Sequence, residues 1–121
     1  MAALNATAKN LMLEALAAVV DYASLHDDAA GAAGDNEITG GSYARKAVTW
    51  ETAALGVLAM DVDPSGPVFD VPASTTVDEV GLWDHATTGA FYGSADVDDE
   101  VFTNAGTYTV TEFEITASDP A

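Results

Sequence analysis

The feature that most limits the fold is a series of short apolar runs after about residue 20, each ended by a turn signal. Residues 56–62 alternate large apolar side chains with small or acidic ones, which is the period of a half-buried strand. Asp63-Pro64-Ser65-Gly66-Pro67 follows as a turn. Runs of this kind, recurring about every eight to twelve residues, favour antiparallel strands. The sequence therefore predicts a mainly β fold, an antiparallel β-sandwich over about residues 20–117.

The first twenty residues follow a different period. Their apolar side chains recur at the three- and four-residue spacing of one helical face, at Leu4, Ala8, Leu11, Met12, Ala15, Leu16 and Val19. This predicts one N-terminal α-helix over about residues 5–19, with Asn5 or Thr7 as its N-cap. The opposite side also carries apolar residues, including Leu13 and Val20, which indicates burial on more than one side. Two alternatives stay open: the helix covers the core of its own domain, or it packs against a second chain.

The order of the later segments is also predicted. Residues 27–36 mix charge, Gly and Ala without any period and are expected to form a mobile surface excursion. The strand at 56–62 is expected to form a hairpin with 68–71, and residues 96–100 to form an acidic loop between short strands. The closing strand changes phase near residues 111–112, which indicates a bulge or a change of sheet.

Charge excludes several classes of partner. The chain has 20 acidic and 3 basic residues, for a net charge of −17. Nucleic-acid binding needs clustered Lys and Arg, so no nucleic-acid partner is predicted, and an anionic membrane surface would repel the chain. The acidity also predicts a high-salt habitat, because salt screens self-repulsion. An ordinary acidic surface and a cation-binding role remain alternatives.

Length and composition predict a single domain spanning residues 1–121. The chain has no cysteine, so disulfides and thiolate sites are excluded. No run of residues is apolar and long enough for a membrane span, and the N-terminus lacks the pattern of a signal peptide. Large apolar residues are sparse, so we expect neighbouring subunits to add stability in a homo-oligomer.

Candidate chemistry is weak throughout the sequence. The acidic residues 96–100, together with Asp61 and Asp63, could offer oxygen ligands to Ca²⁺, but their spacing fits no EF-hand loop and favours a solvated loop. His26 and His85 belong to no metal or catalytic motif and are expected at a strand end or in a turn. Residues 41–45 do not match a serine-nucleophile elbow. We therefore predict no catalytic, cofactor-binding or metal-binding residues, and no enzyme activity.

Residues 36–50 hold two of the three basic residues and combine a Gly40-Gly41 turn with a strand-like run ending at Trp50. In so acidic a chain, the guanidinium of Arg45 is expected to pair with a carboxylate, preferably in bidentate geometry. That pair could lie within the fold or across a subunit interface, and both alternatives stay open.

Several of these segments together resemble a known family. They are the Ala- and Leu-rich N-terminal helix, Tyr22-Ala23-Ser24-Leu25-His26, Asn36-Glu37-Ile38-Thr39-Gly40-Gly41-Ser42-Tyr43-Ala44-Arg45, Glu79-Val80-Gly81-Leu82-Trp83-Asp84 and Ala105-Gly106-Thr107-Tyr108. Across nearly the whole chain they resemble small virion proteins of tailed phages, which are labelled tail fibre, head fibre or minor capsid (decoration) protein. The acidity and Lys46 depart from the family pattern and suggest a virus of a salt-loving host.

The resemblance implies a non-enzymatic building block located in the virion. We expect a capsid decoration or minor capsid protein that binds the major capsid protein and stabilises the assembled shell, as a homo-oligomer for which a trimer is the expected symmetry. The alternative is a tail-tip or fibre component that contacts the host surface. The family-like motifs mark Tyr43, Arg45 and Trp83 as structural or subunit-contact residues.

Overall fold

The computed structural model describes residues 3–118 and is mainly β, with antiparallel sheets and one N-terminal helix, as predicted. The elements are α1 (Ala6–Val19), β1 (Tyr22–His26), β2 (Lys46–Ala47), β3 (Val57–Ala59), β4 (Val68–Val71), β5 (Thr75–Trp83), β6 (Phe91–Phe102), β7 (Gly106–Thr109) and β8 (Glu114–Thr116). Within residues 3–118, α1 is too short to cross a membrane.

Helix α1 begins where the sequence predicts, because the Asn5 side chain accepts a hydrogen bond of 2.9 Å from the backbone N–H of Ala8. The face that it buries is the unexpected one. Leu13 is its buried residue and packs with Ala53 and Leu58, whereas Leu11 and Met12 on the regular apolar stripe are exposed. Both sides of the helix carry apolar residues, so periodicity alone could not say which of them meets the core.

The strands form three antiparallel sheets around a shared core. One sheet has four strands in the order β2-β1-β5-β6, and the other two pair β3 with β8 and β4 with β7. The inner face of the large sheet meets the smaller sheets through a core that includes Leu25, Val80, Leu82, Phe69 and Phe113. Sheets packed face to face across such a core have the architecture of a β-sandwich.

The outer face of the large sheet is covered by the long connection between β1 and β2. Residues 27–36 were expected to form a mobile surface excursion, but they lie against the sheet. Ala30 is buried, and its N–H donates to the Glu79 carboxylate at 3.0 Å. Gly34 packs on Trp83 so closely that a Cβ there would lie 2.6 Å from the indole ring. This covering explains why the end of β5 is buried on both faces.

Two predictions about strand pairing are wrong. The segments at 56–62 and 68–71 do not form a hairpin, since β3 pairs with β8 and β4 pairs with β7. The expected acidic loop at 96–100 is instead part of one twelve-residue strand, β6, which pairs with β5 on both sides of a register shift at residues 97–99. Acidic residues are tolerated there because their side chains face solvent at the sheet edge.

The phase change near residues 111–112 is a change of sheet. Tyr108 lies in β7 and pairs with Phe69 of β4, whereas Ile115 lies in β8 and pairs with Leu58 of β3. The chain therefore crosses from one small sheet to the other between these strands, as one of the two predicted alternatives requires. Residues 43–50 form less strand than expected, with β2 limited to two residues and Trp50 in an isolated bridge to Met60.

Candidate functional site

The three predicted contact residues, Tyr43, Arg45 and Trp83, lie close together. Arg45 stacks on Trp83 at the outer face of the large sheet, whereas Tyr43 lies at the edge of β1 and its ring stacks on Phe69 of the core. Glu37 joins Tyr43 to Arg45, and we call these four residues the Arg45 cluster. The guanidinium of Arg45 binds the Glu37 carboxylate through Nε, at 3.1 Å to Oε2, and through Nη2, at 2.9 Å to Oε1. The bidentate pair expected from the sequence is thus formed within the chain.

Arg45 also joins segments that are distant in sequence. Its Nη1 donates to the backbone carbonyls of His85 at 3.0 Å and Thr88 at 2.9 Å, in the turn after β5. Its Cζ lies 3.6 Å from the centroid of the Trp83 ring, in the range of a cation–π contact. With only 6% of its side chain exposed, Arg45 fastens the covering connection to the sheet and to the β5–β6 turn.

Tyr43 links the Arg45 cluster to the edge of β1. Its hydroxyl donates to Glu37 Oε2 at 2.8 Å and accepts from the backbone N–H of Leu25 at 2.9 Å. Strand β2 pairs only with Tyr22 and Ala23 of β1 and does not reach Leu25. The tyrosine hydroxyl therefore accepts the backbone hydrogen bond of Leu25 that a strand partner would otherwise accept. Burial raises the pKa of the Tyr43 hydroxyl far above its usual value, and the Glu37 carboxylate raises it further. The hydroxyl therefore remains a donor at physiological pH.

Trp83 connects the Arg45 cluster to a buried series of hydrogen bonds through Ser24 and His26. Its Nε1–H donates to Ser24 Oγ at 2.8 Å, and Ser24 Oγ lies 2.7 Å from His26 Nε2. His26 Nδ1 lies 2.7 Å from the carbonyl of Asp35, which can only accept, so Nδ1 carries a hydrogen. Ser24 Oγ therefore lies between two ring nitrogens, accepting from Trp83 Nε1 and bonding to His26 Nε2. Each side-chain polar atom in this series of hydrogen bonds has a partner.

The Ser24 and His26 pair has the spacing of a nucleophile and its general base, but its surroundings do not suit catalysis. Both residues are fully buried. Gly81 faces them across the sheet, and a Cβ at that position would lie 2.5 Å from Ser24 Oγ and 2.6 Å from His26 Nε2. No space remains beside the hydroxyl for a substrate, and the pair holds the covering connection in place through Asp35.

Sequence analysis missed Glu37, Ser24 and the glycines of this region as site residues. Ser24 and His26 are two apart in a strand and must share a face, which was a usable signal. Gly81 stands directly opposite Ser24 only because of the β1–β5 register, which the sequence does not reveal. His26 was expected at a strand end and ends β1, and His85 was expected in a turn and lies in one.

A second cluster lies on the surface of β5 and β6. Oxygen atoms of Asp78, Asp96 and Asp99 lie within 4.8 Å of one another, so the acidic group involves Asp78 rather than the expected Asp61 and Asp63. The register between the strands shifts at this point, which crowds the three carboxylates. The pKa of the Asp78 carboxyl is raised to about 6, chiefly by its hydrogen bond to Asp99 and then by desolvation and the neighbouring carboxylates. Such a group could hold a hard cation.

A protein-family model matches almost the whole chain. Residues 2–118 match the model of the family described as Podophage GP4 fiber I protein gp80. No curated protein matches the chain, and no solved structure does. The family match agrees with the resemblance to fibre-type virion proteins of phages that the sequence motifs indicate. Because it spans residues 2–118 of 121, the chain belongs to the Podophage GP4 fiber I protein gp80 family and is a component of a phage virion.

Proposed function

We propose that this protein is a non-enzymatic building block of a fibre on a tailed phage particle. The observation that carries the proposal is the family match over residues 2–118, since that family is described as a fibre protein. The arrangement of polar groups supports it. The Arg45 cluster and the Ser24–His26 pair use their hydrogen-bonding groups to fasten segments of the chain to one another. A fibre component needs this kind of rigidity and no reactive group.

A role as capsid decoration or minor capsid protein is the second candidate, and the compactness of the described residues favours it. Residues 3–118 wrap short sheets around a core and contain no long repetitive shaft. In this role the protein would bind the major capsid protein in the assembled shell. It would stabilise the shell by mass action, because it binds the assembled state and not the dissociated subunits.

Phage particles made without this gene product distinguish the two roles. The fibre role predicts intact, DNA-filled particles that adsorb poorly to host cells and recover when the protein is supplied in trans. The decoration role predicts normal adsorption by particles that lose their DNA at lower temperature than wild type. Particles that are unchanged in both adsorption and heat resistance would contradict both roles.

A further inference from the structure

Helix α1 exposes an apolar stripe that the fold does not use. Leu11 is 69% exposed, Met12 56% and Val19 41%, and Ala15 and Ala18 are exposed between them. We call these five residues the helix patch. Their spacing of three and four residues places them along one side of the helix, opposite buried Leu13. A monomer gains nothing from such a continuous stripe in water.

A strained residue lies in a neighbouring turn, on the flank of α1 that carries Asn10 and Glu14 and not within the helix patch itself. Leu55 is 88% exposed and has a φ of 53°, a left-handed conformation that costs a branched side chain roughly 1–2 kcal/mol. Its turn is fixed to α1, because the N–H of Gly56 donates to Asn10 Oδ1 at 2.9 Å and the N–H of Ala53 donates to the Glu14 carboxylate. A large apolar side chain held in solvent at a strained position points to a role in binding.

The charge distribution indicates what could cover this surface. The first twenty residues contain one Lys and one Glu, so the whole net charge of −17 is carried by the remainder of the chain. Two copies therefore repel each other everywhere except along the helix, where they can approach without opposing like charges. A basic partner would instead be attracted to the acidic sheet.

We propose that the helix patch and Leu55 form the contact between copies of this chain in a homo-oligomer. Residues at three- and four-residue spacing form the seam of helix bundles, and symmetry brings the same stripe of each copy to the shared axis. The alanines in the stripe permit close approach of the helix axes, while Leu11, Met12 and Val19 supply apolar area. The proposal does not depend on whether the protein is located on a fibre or on the shell.

Sedimentation velocity of the full chain, over a wide range of concentrations, tests this contact. The wild-type chain is expected to form a discrete oligomer that is tighter in about 1 M than in about 0.15 M salt, because screening shortens the Debye length from about 8 Å to about 3 Å. The double variant Leu11→Gln/Met12→Gln is expected to raise the dissociation constant at least about 30-fold, from the apolar area that it removes.

Val101→Gln is the matched control, since Val101 is 71% exposed but lies on β6 and not on the helix. This variant should associate like wild type. Leu55→Asn should weaken association without lowering the thermal midpoint of unfolding, because Asn tolerates the left-handed conformation. Circular dichroism checks that each variant is folded.

Three results would overturn the proposal. A wild-type chain that stays monomeric at every concentration and salt level shows that copies do not meet through the helix patch. An oligomer that the double variant leaves intact uses another surface. Equal weakening by Val101→Gln and by the double variant places the contact on the sheet edge or makes it nonspecific.

Discussion

At the scale of single residues, Arg45 has the largest structural role. Its guanidinium binds one carboxylate and two backbone carbonyls and lies over the ring of Trp83. The residue was singled out in the sequence because basic side chains are so rare in the chain. Its partner could not be named in advance, since many carboxylates were available and only the folded connection brings Glu37 within reach.

Replacing Arg45 by Gln tests this role. The substitution leaves the Glu37 carboxylate and two carbonyls without their donor, and we expect it to lower the free energy of unfolding by about 2–4 kcal/mol. Lys46→Gln is the matched control, because it removes the same charge from the next residue without touching the Arg45 cluster. Its effect should be within about 0.5 kcal/mol. Urea unfolding followed by circular dichroism measures both, and equal losses would contradict the assigned role.

The raised pKa of Asp78 predicts how the stability of the fold depends on pH. This pKa is raised in the folded chain from 3.8 to about 6. Between pH 3.8 and about 6, the folded state therefore keeps a proton on Asp78, whereas the unfolded state has lost it. The contribution of this group to stability is therefore full below about pH 4 and is lost as pH rises through 6. We expect Asp78→Asn to be more stable than wild type at pH 7 and equally stable below pH 4.

Thermal unfolding across this pH range checks the prediction. Asp70→Asn serves as the control, since it removes a carboxylate that is exposed on β4 and lies outside the acidic cluster. The stability difference between Asp78→Asn and wild type should vanish on acidification. A difference that persists at low pH would show that the asparagine acts through packing and not through charge.

At the scale of elements, periodicity located the segments but did not determine their neighbours. The N-terminal helix was predicted because a long regular pattern identifies an element. The hairpin between 56–62 and 68–71 was wrong, because the choice of partner strand depends on contacts with β7 and β8 that lie far along the chain. The series of hydrogen bonds through Ser24 and Trp83 was missed for the same reason, since it requires the β1–β5 register.

Strand β6 shows how context overrides composition. Residues 96–100 are rich in acids, which are infrequent in strands, yet they belong to β6. Asp96 and Glu100 pair with β5 on either side of a register shift at residues 97–99. The strand is at the edge of the four-stranded sheet, where charged side chains prevent pairing with strands of other molecules. The acidic residues therefore protect an edge that would otherwise be open.

Neutralising Asp98 and Glu100 tests this protective role. We expect Asp98→Asn/Glu100→Gln to aggregate faster than wild type on mild heating, because the edge loses its charge while keeping its backbone donors and acceptors. The control Glu51→Gln/Glu112→Gln removes the same charge from exposed residues outside the strands. Static light scattering compares them, and equally fast aggregation of the two double variants would indicate a general effect of net charge.

At the scale of the whole molecule, the charge of −17 predicts how the protein responds to salt. Repulsion among surface carboxylates destabilises the folded chain and is screened within about 3 Å at 1 M salt. The thermal midpoint should therefore rise between about 0.1 M and 1 M NaCl, as expected for a protein from a high-salt habitat. Calcium at equal ionic strength should act no differently unless the Asp78, Asp96 and Asp99 carboxylates bind it. A midpoint independent of NaCl would contradict the screening account.

Cryo-electron microscopy of the purified virion measures most directly where this protein is located in the particle. A fibre role predicts density for this chain in a small number of copies at the base or along the length of an appendage. Many copies repeating over the shell with icosahedral symmetry would contradict that role and support capsid decoration.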